Sequence, residues 1–350
     1  MISCVLILKE TSGSNMDPIS QGAIGALAAQ TSVRHKNLAK VTLVGCLAGL
    51  APDLDVLIQS REDPILFLEY HRQFTHSLLF IPFGSLLVAI TLLGFLKDSL
   101  NFKTIYLASF LGFATHGLLD ACTSYGTQLF WPFSNTRVSW NNISIVDPLF
   151  TLPIIFLIIT GLKTSRRLIS FTAAGWAVIY LSLGFYQYER AFSAAMQVAN
   201  ARGHRAERLT LKPSFGNIIL WKAIYQHDEY YFIDAIRTVS TPQWCSGSTI
   251  EMFDFNRHTP LLDIRGQLGE DVERFRWFSQ DYLGYDAEDQ LIADVRYSML
   301  PDEVSPMWGL RVNSRSKPNE HASWWASRGL SPQKLRKFTG MLSGNSCKSL

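Results

Sequence analysis

Charge is scarce in this chain. Asp, Glu, Lys and Arg make up 17% of the 350 residues, against 47% hydrophobic, whereas a soluble domain carries about a quarter charged residues. The charges nearly cancel, at a net +3, and no stripe of Arg and Lys interleaved with aromatics occurs, so no nucleic-acid partner is expected. Cysteine is sparse too: Cys4, Cys46, Cys122, Cys245 and Cys347 are scattered, with no CxxC pair. That argues against a structural zinc knuckle and against a dense disulfide frame. The absence of GxSxG, P-loop and GxGxxG constellations removes support for serine-hydrolase and nucleotide-binding readings. Residues 1–15 have neither a basic n-region nor a small-residue cleavage site. With Met16 directly following, they read as an over-long start or a flexible tail.

Long uncharged runs are what the chain has instead. Residues 78–96 and 168–186 are each 19 positions without a charge, about enough to cross a hydrocarbon core of roughly 30 Å as a helix. Weaker runs lie at 104–119, 149–162 and 41–52. Residues 18–33 place small residues at helical spacing, which suits close helix packing in a membrane. The expected architecture is mainly α: a polytopic transmembrane helical bundle of four or five spans over 16–187, followed by a mostly β extramembrane domain over 188–312. The strand reading rests on alternating aromatic and polar residues, as in EYYFIDAIRT. Residues 313–350 show no sustained period and read as a flexible tail.

The short loops set an orientation. Arg34, Lys36, Lys40, Lys97, Lys103, Lys163, Arg166 and Arg167 fall on one side; Arg61, Arg72 and Arg137 fall on the other. The eight-charge side is expected to be cytoplasmic. Residues 61–77, 120–147 and everything after about 187 then face outward, to the periplasm of a Gram-negative cell.

Ionisable residues at membrane depth are costly and mark functional candidates. Here they cluster at segment ends: Asp53 and Asp55 in APDLD, His71, Arg72 and His76 in HRQFTHS, His116 and Asp120 in ATHGLLD, and Asp147 in SIVDP. Each falls at the outward end, a convergence not built into the Lys/Arg count. His116 and Asp120, four apart, share a helical face. His71 and His76, five apart, cannot, so His71 is expected in a loop while Thr75 caps the helix carrying His76. Pro52 favours a turn presenting Asp53 and Asp55. Mixed imidazole and carboxylate ligands suit Zn, Mn or Fe better than Ca or Mg. Six candidates exceed the needs of one tetrahedral zinc, leaving open two ions, or one ion with acid–base helpers. Arg72 could instead neutralise the carboxylates, which keeps a purely structural cluster in play. His204, His227, His258 and His321 show no metal spacing.

The motifs MDPISQGAIGALAAQ, GLAPDLD, HRQFTHS, ATHGLLDACTSYGTQLFWPF and SIVDPLFTLP, in this order, resemble the YdjM-like family of inner-membrane metal-dependent hydrolases. The later LKPSFGNIILWKAIYQ is similar to the extramembrane segment of longer members, so the resemblance covers residues 16 to roughly 235. It implies a bacterial, multi-pass inner-membrane protein that starts at Met16. The family is grouped by similarity with zinc-dependent phospholipase C-like hydrolases, which implies a metal-activated water attacking a phosphoester. Carried over residue by residue, the metal-site positions are Asp53, Asp55, His71, His76, His116 and Asp120, with Asp17 a further candidate. His71 is a ligand or proton shuttle and Arg72 steadies an anionic headgroup or phosphate. Many relatives have a Thr-His pair where this chain has Ser20 and Gln21, which weakens a role for the first helix here. Membrane lipids are the expected partners and a lipid or lipid-linked phosphoester the expected substrate. The alternative is a non-enzymatic ion pathway or partner-binding membrane protein.

Overall fold

The computed structural model describes residues 17–33, 36–259, 265–312, 319–327 and 329–350; the expected tail at 1–15 lies outside them. The chain divides into two compact units. The first comprises Met1–Leu57, Tyr70–Phe185 and Phe215–Asn217; the second comprises Ile58–Glu69, Tyr186–Ser214 and Ile218–Leu350.

Helices build the first unit: α1 (Pro18–Ser32), α2 (Leu38–Leu50), α4 (Ile81–Leu96), α5 (Phe102–Cys122), α6 (Pro148–Thr164) and the first half of α7 (Arg167–Ala201). The short α3 (Leu66–Tyr70) lies almost wholly in the second unit. Their boundaries follow from local chemistry. Asp17 caps α1 ahead of Pro18, Asn101 caps α5 at Thr104 N, and Asp147 caps α6 ahead of Pro148; these are the Asx N-cap and proline N1 preferences. Small residues let the helices meet at backbone distance. A Cβ at Gly25 would come within 2.5 Å of the Gly45 carbonyl, and one at Gly112 would also strike Gly45. The close packing expected of residues 18–33 is thus realised, with Gly45 at its centre. Ala29, Val41, Val44, Ala89, Ile105 and Ala108 fill the space beside it.

Among the described residues, three helical stretches are long and apolar enough to cross a membrane: Leu78–Leu96, Phe102–Cys122 and Arg167–Ala201; Pro148–Thr164 is apolar but shorter. At 35 residues, α7 is about 52 Å long, more than one hydrocarbon core requires. By contrast α1 and α2, at 15 and 13 residues, fall short of a span.

Two antiparallel sheets organise the second unit. One has the order β1 (Leu209–Pro213), β2 (Leu220–His227), β3 (Tyr230–Arg237), β4 (Gln243–Glu251) and β9 (Lys348–Ser349). The other runs β5 (Leu283–Asp286), β6 (Leu291–Asp294), β7 (Trp308–Arg311), β8 (Ser323–Ala326). Helices α8 (Phe255–His258), α9 (Gln267–Phe278) and α10 (Pro332–Ser343) complete it. The segment from 313, expected as a flexible tail, is ordered over its described residues: it supplies β8, α10 and β9. A Cys245–Cys347 disulfide, 102 residues apart in sequence, ties that C-terminal end to β4. The sparse cysteines therefore make one staple.

Candidate metal centre

The site is assembled where α2 ends. After Gly49 the chain tightens into a 3₁₀ turn, Ala51–Leu57, because Pro52 lacks the amide a continuing α-helix needs. That turn presents Asp53 and Asp55. The chain returns through His71 and Arg72, with Arg72 in the left-handed region at φ 64°, and makes a second 3₁₀ turn, Phe74–His76. His116 and Asp120 come from the last turns of α5, both fully buried. Gly117 lies against the His76 carbonyl, where any Cβ would clash, so glycine is what lets this turn approach the helix.

Tautomers follow from the hydrogen bonds. His116 Nδ1 lies 2.6 Å from the Gly49 carbonyl, an acceptor only, so Nδ1 carries a proton and Nε2 is left for another partner. On His76, Nδ1 faces Thr75 Oγ1 at 2.9 Å and Asp55 Oδ2 at 3.3 Å, which turns its Nε2 toward His116. The two Nε2 atoms stand 2.9 Å apart. Asp53 Oδ1 lies 3.6 Å from one and 3.4 Å from the other. Asp120 Oδ2 lies 3.2 Å from His76 Nε2 and 3.8 Å from His116 Nε2. Ligands about 2.0–2.1 Å from a tetrahedral zinc sit about 3.3 Å from each other, so these separations are those of a coordination sphere. Neither Asp53 Oδ1 nor Asp120 Oδ2 has a hydrogen-bond partner among the described residues. Asp120 Oδ2 faces the Arg72 guanidinium, whereas Asp53 Oδ1 has no donor beside the two opposed Nε2 atoms, and that arrangement calls for a cation. Without a metal, Arg72 supplies one cation beside Asp120, and His76 is the imidazole whose charged form the carboxylates favour. Burial opposes its charge, but Asp120, Asp53 and Asp55 outweigh burial and raise its pKa well above the usual value. The residues present therefore fit a divalent metal.

Asp55 is placed differently. Its Oδ1 accepts from His71 Nδ1 at 2.7 Å, and its Oδ2 accepts from Arg72 N at 3.0 Å and Thr75 Oγ1 at 2.8 Å. Burial pushes its pKa up, yet His71 and His76 hold the carboxyl well below its ordinary range. One carboxylate thus orients both histidines, the arrangement that fixes metal ligands from behind. Among the described residues two groups bring potential ligand atoms within 4.8 Å of one another: Asp53, His76 and His116, and Asp53, Asp55 and His71. His71 Nε2 is buried with no hydrogen-bond partner among the described residues. Asp53 is the most exposed of these side chains, at 19%, and so marks the site's opening.

Arg72 is fully buried, its Nε 3.1 Å from Asp120 Oδ2 and its guanidinium 4.5 Å above the Tyr125 ring. Its Nη2 has no hydrogen-bond partner among the described residues. Thr75 differs from expectation: it is inside the 3₁₀ turn and bonds Asp55, while Ser77 caps the next turn by accepting from Phe80 N. Asp147 and Asp17 serve as helix caps. Asp147 accepts from Leu149 N, Phe150 N and Tyr180 OH, and Asp17 from Ile19 N and Ser20 Oγ.

Two contributors were not among the expected site residues. Gln21, fully buried on α1, donates from Nε2 to Asp120 Oδ1 at 2.7 Å, so the first helix does reach the site, against the expectation that Gln21 weakens its role. Arg137 donates from Nη2 to the Gly126 carbonyl at 3.0 Å and approaches the His71 carbonyl at 3.5 Å, bracing the turn that carries His71.

Comparison with known proteins gives a relative that matches part of the chain. The uncharacterized protein YfhP of Bacillus subtilis (strain 168) is 30% identical over 112 residues, 32% of this chain and 34% of that protein. The chain thus aligns with about a third of that relative's length. No solved structure matches. The model of the YdjM inner membrane protein family matches residues 16–191, just over half of the chain and all the residues of the cluster, and the chain belongs to that family.

Proposed function

We propose that the protein is a multi-pass membrane metal-dependent hydrolase acting on a lipid or lipid-linked phosphoester. The observation that carries this reading is the Nε2-to-Nε2 approach of His76 and His116 at 2.9 Å beside the unpartnered Asp53 oxygen. His76, His116, Asp53 and Asp120 would hold the ion, zinc in preference to manganese or iron given two imidazoles among four ligands. A bound divalent metal would lower the pKa of a water toward about 7 and polarise a phosphoryl oxygen.

The chain's own residues do the rest. Asp55 holds His71 by Nδ1, leaving Nε2 to take a proton from the attacking water, the division of labour of an Asp–His dyad. Arg72 is fixed by Asp120 and Tyr125, and its free Nη2 is the donor for an anionic phosphoryl oxygen. Asp53 lies at the opening, where substrate enters. Lys/Arg asymmetry supports an outward-facing C-terminal unit, and the Cys245–Cys347 disulfide supports it independently, since such bonds persist in oxidising compartments. The membrane is the inner membrane, and the outward side its periplasmic face.

A second reading, a structural polar cluster, is favoured by one observation: the fully buried Arg72–Asp120 pair supplies a cation without a metal. Elemental analysis of protein purified without chelators separates the two. Near-stoichiometric zinc together with release of phosphate from a phospholipid or lipid-phosphate panel supports the first, and a metal-free wild type supports the second.

A further inference from the structure

The hairpin after α5 carries a feature that the proposed chemistry does not use. Thr127 and Val138 pair across it, with N–H to carbonyl distances of 3.0 and 2.8 Å. Its tip, Leu129-Phe130-Trp131-Pro132-Phe133, has no charge, and it leaves Phe133 84% and Phe130 52% exposed. Two large aromatics held at an exposed turn lose solvation free energy in water, about 25 cal/mol per Å². A turn of this kind persists where another medium covers it.

The tip has a defined place in the fold. Leu78 N donates to the Leu129 carbonyl at 2.9 Å, which fixes the tip beside the first residue of the Leu78–Leu96 span. Trp131 packs on Phe74, Phe74 on Phe80 and Phe80 on Phe113, with ring centroids 6.1, 5.3 and 6.2 Å apart. Phe74 lies between Arg72 and His76 in sequence. At its base the hairpin grips the same turn, since Gln128 N donates to the Arg72 carbonyl at 3.0 Å. Exposed apolar residues continue from the tip onto the span itself through Leu78, Leu79, Phe83 and Leu87.

We propose that this tip is an interfacial lip: Phe130, Trp131 and Phe133 lie at the headgroup–acyl boundary of the bilayer and contact phospholipid next to the metal centre. The occupant is lipid because the apolar surface runs unbroken into a membrane-spanning face and because aromatic residues favour that layer. Arg137, the hairpin's one cation, is turned inward and 4% exposed, so the tip offers no charge to an acidic protein partner. The lip rests on the membrane reading and not on bound metal. If the centre is hydrolytic, it selects substrates with one end in the bilayer and the scissile end at the mouth of the site.

The test uses full-length protein in nanodiscs of mixed phosphatidylcholine and phosphatidylglycerol. Cys4, Cys46 and Cys122 are replaced by Ala, the Cys245–Cys347 disulfide is kept, and Phe133→Cys is labelled with bimane. The expected result is emission quenched several-fold more by lipid bearing a nitroxide near the headgroup than by lipid bearing one at the acyl terminus, with aqueous iodide ineffective. Strong iodide quenching, placing the tip in water, overturns the proposal. So does protection from all three quenchers, which would mean a protein partner or a second copy covers the tip. Unchanged metal content of the labelled protein shows that the site survived. A metal-free wild type with the same quenching pattern would defeat the hydrolase reading and leave the lip standing.

Discussion

His76 Nε2 and His116 Nε2 face each other at 2.9 Å, although the residues are 40 apart and come from different elements. Each ring is held from behind through Nδ1, by Thr75 and Asp55 on one side and the Gly49 carbonyl on the other. Neither can rotate to relieve the approach without breaking a buried hydrogen bond. The fold thus keeps the two Nε2 atoms converged, an approach that a proton shared between them or a bound cation explains.

Asp55 should act through the histidines it holds. Asp55→Asn keeps the size but cannot accept from His71, Arg72 N and Thr75 as a carboxylate does. Outer-shell losses of this kind cost roughly 10- to 100-fold in metal affinity, and the drop should appear in a competitive chelator titration. Leu54→Ala, a neighbouring exposed position, should leave affinity unchanged. Equal affinities for the Asp55 variant and wild type would remove its orienting role.

Gln21 should matter through Asp120. Gln21→Leu deprives Asp120 Oδ1 of its 2.7 Å donor at nearly constant volume. We expect metal affinity to fall about 10-fold and the visible spectrum of a cobalt-substituted sample to change, reporting altered ligand geometry. An unaltered spectrum and affinity would show that the contact is only packing.

The Cys245–Cys347 disulfide supplies a topology test. In intact cells these thiols should resist alkylation until a reductant is added, and the Cys245→Ser/Cys347→Ser variant should lose that reductant-dependent shift. The pair closes a long loop, so the variant should also unfold more easily, by about 2–4 kcal/mol. Full alkylation of both thiols without reductant would place them in a reducing compartment.

Lys222 predicts a pH dependence in the second unit. It is buried on β2, opposite Lys212 of β1, and donates to Ser298 Oγ at 2.6 Å and the Glu303 carbonyl at 2.9 Å. Burial pushes its pKa down to about 7, only partly offset by Glu303, Asp294 and Asp302. An unfolded lysine titrates near 10.4. Between these values the unfolded chain holds the proton and the folded one does not, so stability should rise with pH from about 7 toward 10, by up to about 1.4 kcal/mol per unit. Lys222→Met should flatten that slope in denaturant unfolding monitored over pH; an equally steep slope in the variant would assign it to other groups.

Much of the site was legible in the sequence because membrane depth makes ionisable side chains conspicuous. Asp53, Asp55, His71, His76, His116 and Asp120 stood out as polar residues at the ends of apolar runs, and the fold brings them together. Asp147 stood out for the same reason, and Asp17 through the family resemblance, but they precede Pro148 and Pro18, and Asp-Pro at a helix start is the signature of a cap. Gln21 stood out only as weakening a role for the first helix, which its bond to Asp120 overturns: an uncharged amide on a small-residue helix shows no role until its partner is known. The Cys245–Cys347 pairing, 102 residues apart, leaves no spacing pattern. The C-terminal elements were hidden by their shortness. β8 and β9 are 4 and 2 residues long, below the length at which period-two alternation can be read.

The central claim is that these six residues form a metal centre, and metal content tests it most directly. Wild-type protein purified in detergent without chelators should carry near-stoichiometric zinc by inductively coupled plasma mass spectrometry. His116→Ala, which removes one of the two opposed nitrogens, should carry almost none while retaining the same size-exclusion profile. A metal-free wild type that also fails to take up added zinc, or a His116→Ala variant with undiminished zinc, would contradict the account.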